Sequence, residues 1–302
     1  MRFMDIPDSE SWVKVDAVNK GWSSDKKYYI ETTKGTKLLL RLSNLDEKEI
    51  KQRDFELIKL IANQNINMSV PIEFGVCGEN SVYTLFTWVD GEDLEIVLPS
   101  LDRCMQYNLG YKAGITLKRI HDCKFTEEPK NWEDRYNIKL DRNISMYNNC
   151  PVKYKGADKI IDYINRHRHL LNGRPQVLQH GDYHTGNMVI KNGDVGIIDF
   201  NRLDIGDPWE EFNRISFCAT ISGDFASGMI NGYFNDDVPD DFFKLLALYI
   251  GSNQLSSIPW AMNFGEEDVN YMIQQARLVL KWYNDYNYYI PSWYTSKNLK
   301  VF

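Results

Sequence analysis

Positions 180–187 read HGDYHTGN, and these side chains suit two different chemistries. His180, Asp182 and His184 alternate along the chain, and such a set could hold zinc or iron for a metal-dependent hydrolase or oxygenase. Asp182 followed five residues later by Asn187 suits something else. It offers one carboxylate base and one amide oxygen of the kind a hard cation accepts.

The residues just beyond this loop bear on the choice. VLQHGDYHTGNMVIKNGDVGIIDF (177–200) contains MVIK, then Asn192-Gly193, then DVGIID. Asn-Gly between apolar runs is the strongest short signal for a hairpin with a two-residue type I′ turn. That turn pairs 191 with 194, 189 with 196 and 187 with 198. Cross-strand neighbours lie roughly 5 Å apart, so Asn187 is expected diagonally beside Asp199 at the open end. Ideal pleating sends these two side chains to opposite faces, so the strand ends must twist for both to reach one ion. Asp182, Asn187 and Asp199 together suit Mg²⁺ better than an imidazole-loving metal. Phosphoryl transfer asks for little beyond this: a metal, a base near the acceptor hydroxyl and a cation on the donor phosphates.

Other elements must hold these residues in place. The first 90 residues are strand-rich. KKYYIETT (26–33) and KLLLRLS (37–43) flank Lys34-Gly35 and read as a hairpin, and SVYTLFTWV (81–89) reads as a third strand. Between them, apolar residues at 50, 57, 58 and 61 keep helical spacing, with Asp54 inside that stripe. A carboxylate on a buried face needs a cationic partner. Asp90-Gly91-Glu92-Asp93 breaks the pattern and marks a lobe boundary. Beyond it, helices are expected over 105–121, 155–171, 240–251 (closed by Gly251) and 266–288. The expected architecture is α+β and bilobed. A small β-rich lobe with one helix spans 1–89, a hinge lies at about 84–92, and a larger helical lobe spans 93–302.

Composition narrows the function classes. The 302 residues carry a formal net charge of −7, which argues against nucleic acid as a partner. Five cysteines lack CxxC spacing, which fits a reducing cytoplasm. The amino terminus shows no signal-peptide pattern, and the longest apolar run, near FFKLLALYI, falls far short of a membrane span.

Protein kinases share one ordered pattern: an Asp, an Asn five residues on, and an Asp-Phe pair after a short hairpin. Here the pairs are Asp182–Asn187 and Asp199-Phe200, with His180 two residues before Asp182. The set HGDYHTGN…IIDF resembles the signature of aminoglycoside-phosphotransferase-like and choline-kinase-like small-molecule kinases. The resemblance runs from about residue 20 to about residue 215. It implies a protein-kinase-like fold and Mg²⁺-dependent transfer of phosphate from ATP or GTP to a small-molecule hydroxyl. Antibiotics such as aminoglycosides are among the acceptors it suggests. It assigns Asp182 as catalytic base, and Asn187 and Asp199 as metal ligands. His180 would orient the loop backbone, and His184 would either touch substrate or be a satisfied structural histidine.

The resemblance extends into the first lobe. GWSSDKKYYI (21–30) is similar to the family's nucleotide loop, so Ser23, Ser24 and their N–H groups are expected over the phosphates. A plain Gly/Ser turn is the alternative. Arg41 stands where the family places a phosphate-binding Lys, and Asp54 where it places the partner Glu. The longer cation and shorter acid are expected to form one pair of conserved reach. YTLFTWVDGEDL (83–94) resembles the hinge, with Thr87 and Val89 backbone at the purine edge and Phe86 behind.

Farther on, Asp207 is expected to cap a helix, and Glu210 and Glu211 to face a cationic substrate or complement a helix dipole. The aromatic run KWYNDYNYYIPSWY (281–294) fits an acceptor pocket or a packed core. Two rival readings stand beside the kinase. One is a metal-dependent hydrolase using His180, Asp182 and His184. The other is a kinase-fold protein that binds nucleotide without catalysis. Intact Asp182, Asn187 and Asp199 argue against the second rival, and the strand-rich first lobe argues against the hydrolase.

Overall fold

The computed structural model describes residues 3–19 and 25–296. The chain divides into two compact units. The first comprises Met1–Glu92, Cys123–Phe125 and Met188–Phe200; the second comprises Asp93–Asp122, Thr126–Asn187 and Asn201–Phe302.

The first unit is built on β1 (Trp12–Val18), β2 (Lys26–Thr32), β3 (Lys37–Asn44), α1 (Lys48–Ala62), β4 (Pro71–Cys77) and β5 (Ser81–Thr87). The strands form one antiparallel sheet in the order β1-β2-β3-β5-β4. Alternation along β3 sends Leu38 and Leu40 into a core with Ile30, Tyr83 and Leu85. It also places Arg41 on the opposite face. Helix α1 buries Phe55, Leu57, Ile58 and Ile61. Ile50, which the spacing put on that stripe, is exposed.

The late hairpin, Met188–Lys191 with Asp194–Ile197, also belongs to this unit. Its register pairs 191 with 194 and 189 with 196, as the turn dictates. Asn192 and Gly193 both have positive φ, 54° and 78°, the requirement of a type I′ turn. Backbone bonds fasten the hairpin to the unit: Ile197 N–H donates to Asn67 O (2.8 Å) and Ser69 N–H to Ile197 O (3.2 Å). Strands β1 and β4 were not expected. β1 has no fully buried residue, so no core alternation marks it, and β4 opens on a proline.

The second unit is mainly helical: α2 (Leu94–Val97), α3 (Arg103–His121), α4 (Trp132–Asn149), α5 (Ala157–His167), α6 (Ile215–Ile221), α7 (Gly223–Tyr233), α8 (Asp240–Ala261) and α9 (Glu266–Trp282). Gly251 does not close α8, which runs ten residues further. It is a packing glycine instead, because a Cβ there would meet Ile160 at 2.8 Å and the Tyr286 hydroxyl at 2.9 Å.

Helices α3 and α7 meet backbone to backbone. Each carries two glycines four apart, Gly110/Gly114 and Gly228/Gly232. A Cβ at any of them would lie 2.0–2.1 Å from a carbonyl oxygen of the facing helix. Among the described residues no helix is long and apolar enough to cross a membrane.

Candidate active site

Each unit carries candidate residues of its own, and each set is built locally. In the second unit, the loop 180–187 is held from beneath. His180 is fully buried, and its Nδ1 accepts the N–H of Asp182 (3.2 Å). Gly181 has φ +81°, and a Cβ there would sit 1.7 Å from the Arg202 carbonyl, so only glycine fits. Gly181 N–H donates to both carboxylate oxygens of Glu211, at 3.0 and 3.1 Å. The buried Tyr183 hydroxyl donates to Ala113 O at 2.7 Å, tying the loop to α3.

Asn187 N–H donates to His184 O (2.9 Å). Asn187 Nδ2 donates to Asp182 O (2.9 Å) and to its Oδ2 (3.3 Å). The Asp–Asn pair read from the sequence is therefore a direct contact.

His184 repeats the role of His180. Its Nδ1 accepts the Gly186 N–H at 3.1 Å, which leaves Nε2 as the ring nitrogen facing Asp182 Oδ1, at 3.7 Å. Arg214 Nε lies 3.2 Å from the same oxygen, and Arg202 Nε lies 3.8 Å from Oδ2. The Arg214 contact is a charge contact, not an aligned hydrogen bond. Burial pushes the Asp182 carboxyl up, but His184, Arg214 and Arg202 outweigh it and hold the group well below the usual carboxylate range. Asp182 is thus a half-buried carboxylate whose ionised form these neighbours favour.

Both histidines spend Nδ1 on the loop backbone. Among the described residues, no group of three or more His, Cys, Asp or Glu side chains is arranged to hold a metal ion. The three-ligand set His180–Asp182–His184, and the hydrolase reading with it, is not formed.

In the first unit, Asp199 follows the hairpin in left-handed backbone, φ 66°. Aspartate tolerates this conformation better than most residues. Arg41 Nη1 donates to its Oδ1 (2.7 Å) and Lys27 Nζ to its Oδ2 (2.9 Å). Burial alone would raise the Asp199 carboxyl, but Arg41 and Lys27 reverse that and keep it ionised.

The expected Arg41–Asp54 pair is replaced. The other edge of Arg41 donates to Asp25, from Nε (3.3 Å) and Nη2 (3.0 Å), while Asp54 pairs with Arg53 (3.3 Å). Asp25 also accepts from Ser43 (2.8 Å) and from Lys51 (3.1 Å), the residue one turn before Asp54 on α1. A short acid on the helix does not meet Arg41, and an acid entering β2 does. Burial works against ionising Asp25, yet Arg41, Lys51 and Ser43 bring its pKa below the ordinary value.

Ser23 and Ser24 lie outside the described residues. Thr87 ends β5 with its N–H bonded to Val70 O (2.9 Å), so that donor is already used. Val89 lies just beyond the strand against Gly196. Phe86 is core.

The acids after Asp199 are structural. Asp207 is fully buried and accepts two bonds from Arg174 (2.7 and 2.8 Å), one from Tyr249 (2.6 Å) and one from Trp209 N–H (2.9 Å). Glu210 and Glu211 are buried, not turned to a cationic substrate. Glu210 binds Lys139, and Glu211 caps Gly181 and faces His121. Tyr283 and Tyr286 of the aromatic run pack in the core. Asp25, Lys27, Lys51 and Arg214 were not identified from the sequence. Lys27 had a signal: the two-residue spacing from Asp25 and the hairpin register place it opposite Arg41.

No curated protein matches the chain in sequence. Solved structures share its fold at low identity. A thermostable mutant of aminoglycoside phosphotransferase APH(4)-Ia is 15% identical, covers 90% of this chain and 95% of its own, and superposes with a TM-score of 0.68. Amicoumacin kinase hAmiN is 12% identical, with coverage of 94% and 90% and a TM-score of 0.66. A choline/ethanolamine kinase family protein from Mesorhizobium loti is 11% identical, with coverage of 93% and 92% and a TM-score of 0.66. The phosphotransferase enzyme family model (APH) matches residues 14–243. That match spans both Asp182 with its asparagine and Asp199 with its cations, and the chain belongs to this family as a small-molecule phosphotransferase.

Proposed function

We propose that the protein transfers the γ-phosphate of ATP or GTP to a hydroxyl of a small molecule, with Mg²⁺, in the cytoplasm. The observation that carries this reading is Asp182, held ionised beside Asn187 by Arg214 and His184. The hard oxygen donors of Asn187 and Asp199 fit Mg²⁺. Bound there, the ion would neutralise charge on the transferring phosphoryl group.

Asp182 accepts the proton of the acceptor hydroxyl as the new oxygen–phosphorus bond forms and the β–γ bridge bond breaks. A weak base suffices, because the hydroxyl becomes acidic only as that bond forms. Arg41 holds donor phosphate, positioned by Asp25. We further assign the phosphates to Ser23 and Ser24, and the purine edge to the backbone of Val89, two residues beyond Thr87. Structures of this fold that hold AMP-PNP beside hygromycin B, or AMP-PNP with Ca²⁺, support the nucleotide part. Aminoglycosides and other hydroxyl-bearing antibiotics are the first acceptors to test.

The test is a phosphorylation screen with ATP and GTP over hydroxyl-bearing antibiotics, choline, sugars and amino acids. One acceptor should yield a phosphate ester. Asp182→Ala should abolish its formation and leave ATP affinity within about threefold. An active Asp182→Ala enzyme overturns the base assignment.

A further inference from the structure

Lys27 and Arg41 stand directly opposite each other on β2 and β3. Directly opposite residues project to the same face of a sheet. Both side chains are nearly buried, 10% and 7% exposed, and each holds one oxygen of Asp199. Arg41 cannot turn freely, because its other edge is fixed by Asp25, itself 2% exposed and gripped by Lys51 and Ser43. Lys27 reaches Asp199 as a point charge on a flexible stem. When a divalent cation takes Asp199, the cations that held it are left beside the newly neutralised carboxylate. They are then positioned for another polyanion.

We propose that Lys27 is a second phosphate-binding cation, acting across the β2–β3 ladder with Arg41. Both residues exchange Asp199 for the oligophosphate of the nucleotide when a divalent cation binds Asp199. This rests on the nucleotide reading above and adds a residue to it. Arg41 supplies a fixed planar donor, and Lys27 a mobile charge that can follow the phosphate through the reaction. Asp199 serves the nucleotide-free protein as an internal anion that keeps two nearly buried cations paired.

The test measures dissociation constants for ATP, ADP and adenosine by titration calorimetry, with Mg²⁺ and with EDTA, and needs no turnover. Lys27→Met should weaken Mg·ATP binding by about tenfold to a hundredfold, the value of one charged hydrogen bond, and leave adenosine unchanged. Lys27→Arg should restore most of the affinity. In EDTA, Asp199→Asn should bind ATP more tightly than the wild type, because the two cations no longer face a full carboxylate. Adding Lys27→Met to Asp199→Asn should remove that gain. Circular dichroism melts of each variant establish that it folds.

Equal losses for ATP and adenosine, or no loss for either, overturn the proposal and leave the kinase reading intact. So does an Asp199→Asn variant with no gain in EDTA. A wild-type protein that binds adenosine and ATP alike, or neither, overturns both readings.

Discussion

Replacing Gly114 by alanine tests whether the α3–α7 contact sets the position of the loop that carries Asp182. A Cβ there would lie 2.1 Å from Met229 O, and ordinary contact begins at 3.4 Å. Relief by separation alone parts the helices by about 1.3 Å at this level. The adjacent residue, Ala113, accepts the Tyr183 hydroxyl at 2.7 Å. If α3 takes even half of that movement, the bond passes about 3.2 Å and is lost. Tyr183 is next to Asp182, and a misplacement of about 1 Å at a reacting group costs on the order of a hundredfold in rate. The overpacking itself costs about 1–3 kcal/mol, so the melting temperature should fall by roughly 2–12 °C. The assay is kcat with an acceptor from the screen, ATP affinity, and a thermal melt. Tyr183→Phe serves as the companion, since it removes the same bond while leaving the helices in contact. Gly114→Ala should lower kcat about a hundredfold with ATP affinity retained, and Tyr183→Phe should reproduce part of that loss. A Gly114→Ala protein that melts earlier yet keeps kcat within about twofold refutes the link between helix spacing and loop position.

Breaking the Arg174–Asp207 pair from one side leaves a buried charge, so Arg174→Met should cost about 3–5 kcal/mol in urea denaturation. Exchanging both residues for neutral ones should cost clearly less than the two single changes added together. Asp25 has a depressed folded pKa, so its contribution to stability is full above its unfolded pKa of 3.8 and is lost as pH falls below that toward the folded value. Acid unfolding of Asp25→Asn should therefore begin from lower stability and slope less steeply below pH 4. Gly181→Ala adds a Cβ 1.7 Å from backbone at φ +81° and should yield no active enzyme. Gly193→Ala, at φ +78° with nothing within 4 Å, should cost only about 1–2 kcal/mol and retain turnover.

The parts legible in the sequence were those encoded over short range. Asn192-Gly193 dictates its own turn, and the turn dictates the register. Asp182 and Asn187 meet because a tight loop, with the two only five positions apart, leaves them little choice. The partner of Arg41 was of another kind. Asp25 and Asp54 are both acids within reach of plausible structures, and family habit favoured the helix. The sheet register, which no helical periodicity reports, decided for Asp25. Helix α4 escaped notice because its buried face is Trp132, Tyr136, Leu140, Asn143 and Tyr147, too polar to show as an apolar stripe. Helix α7 was hidden by the glycines that let it approach α3. In that case the residues that argue against a helix are the ones its packing requires.

The first unit is assembled from pieces far apart in the chain, and this has a consequence during synthesis. Its last piece, Met188–Phe200, leaves the ribosome about a hundred residues after Glu92. At about 5–20 residues per second, that is roughly 5–20 s. Throughout that interval the nascent sheet lacks Ile197, whose backbone closes the bonds at Asn67 and Ser69, and Arg41 and Lys27 lack Asp199. The first unit thus cannot be finished until the loop that carries Asp182 has already been made. A chain truncated between residues 41 and 199 therefore emerges with Lys27 and Arg41 but without the carboxylate that pairs them.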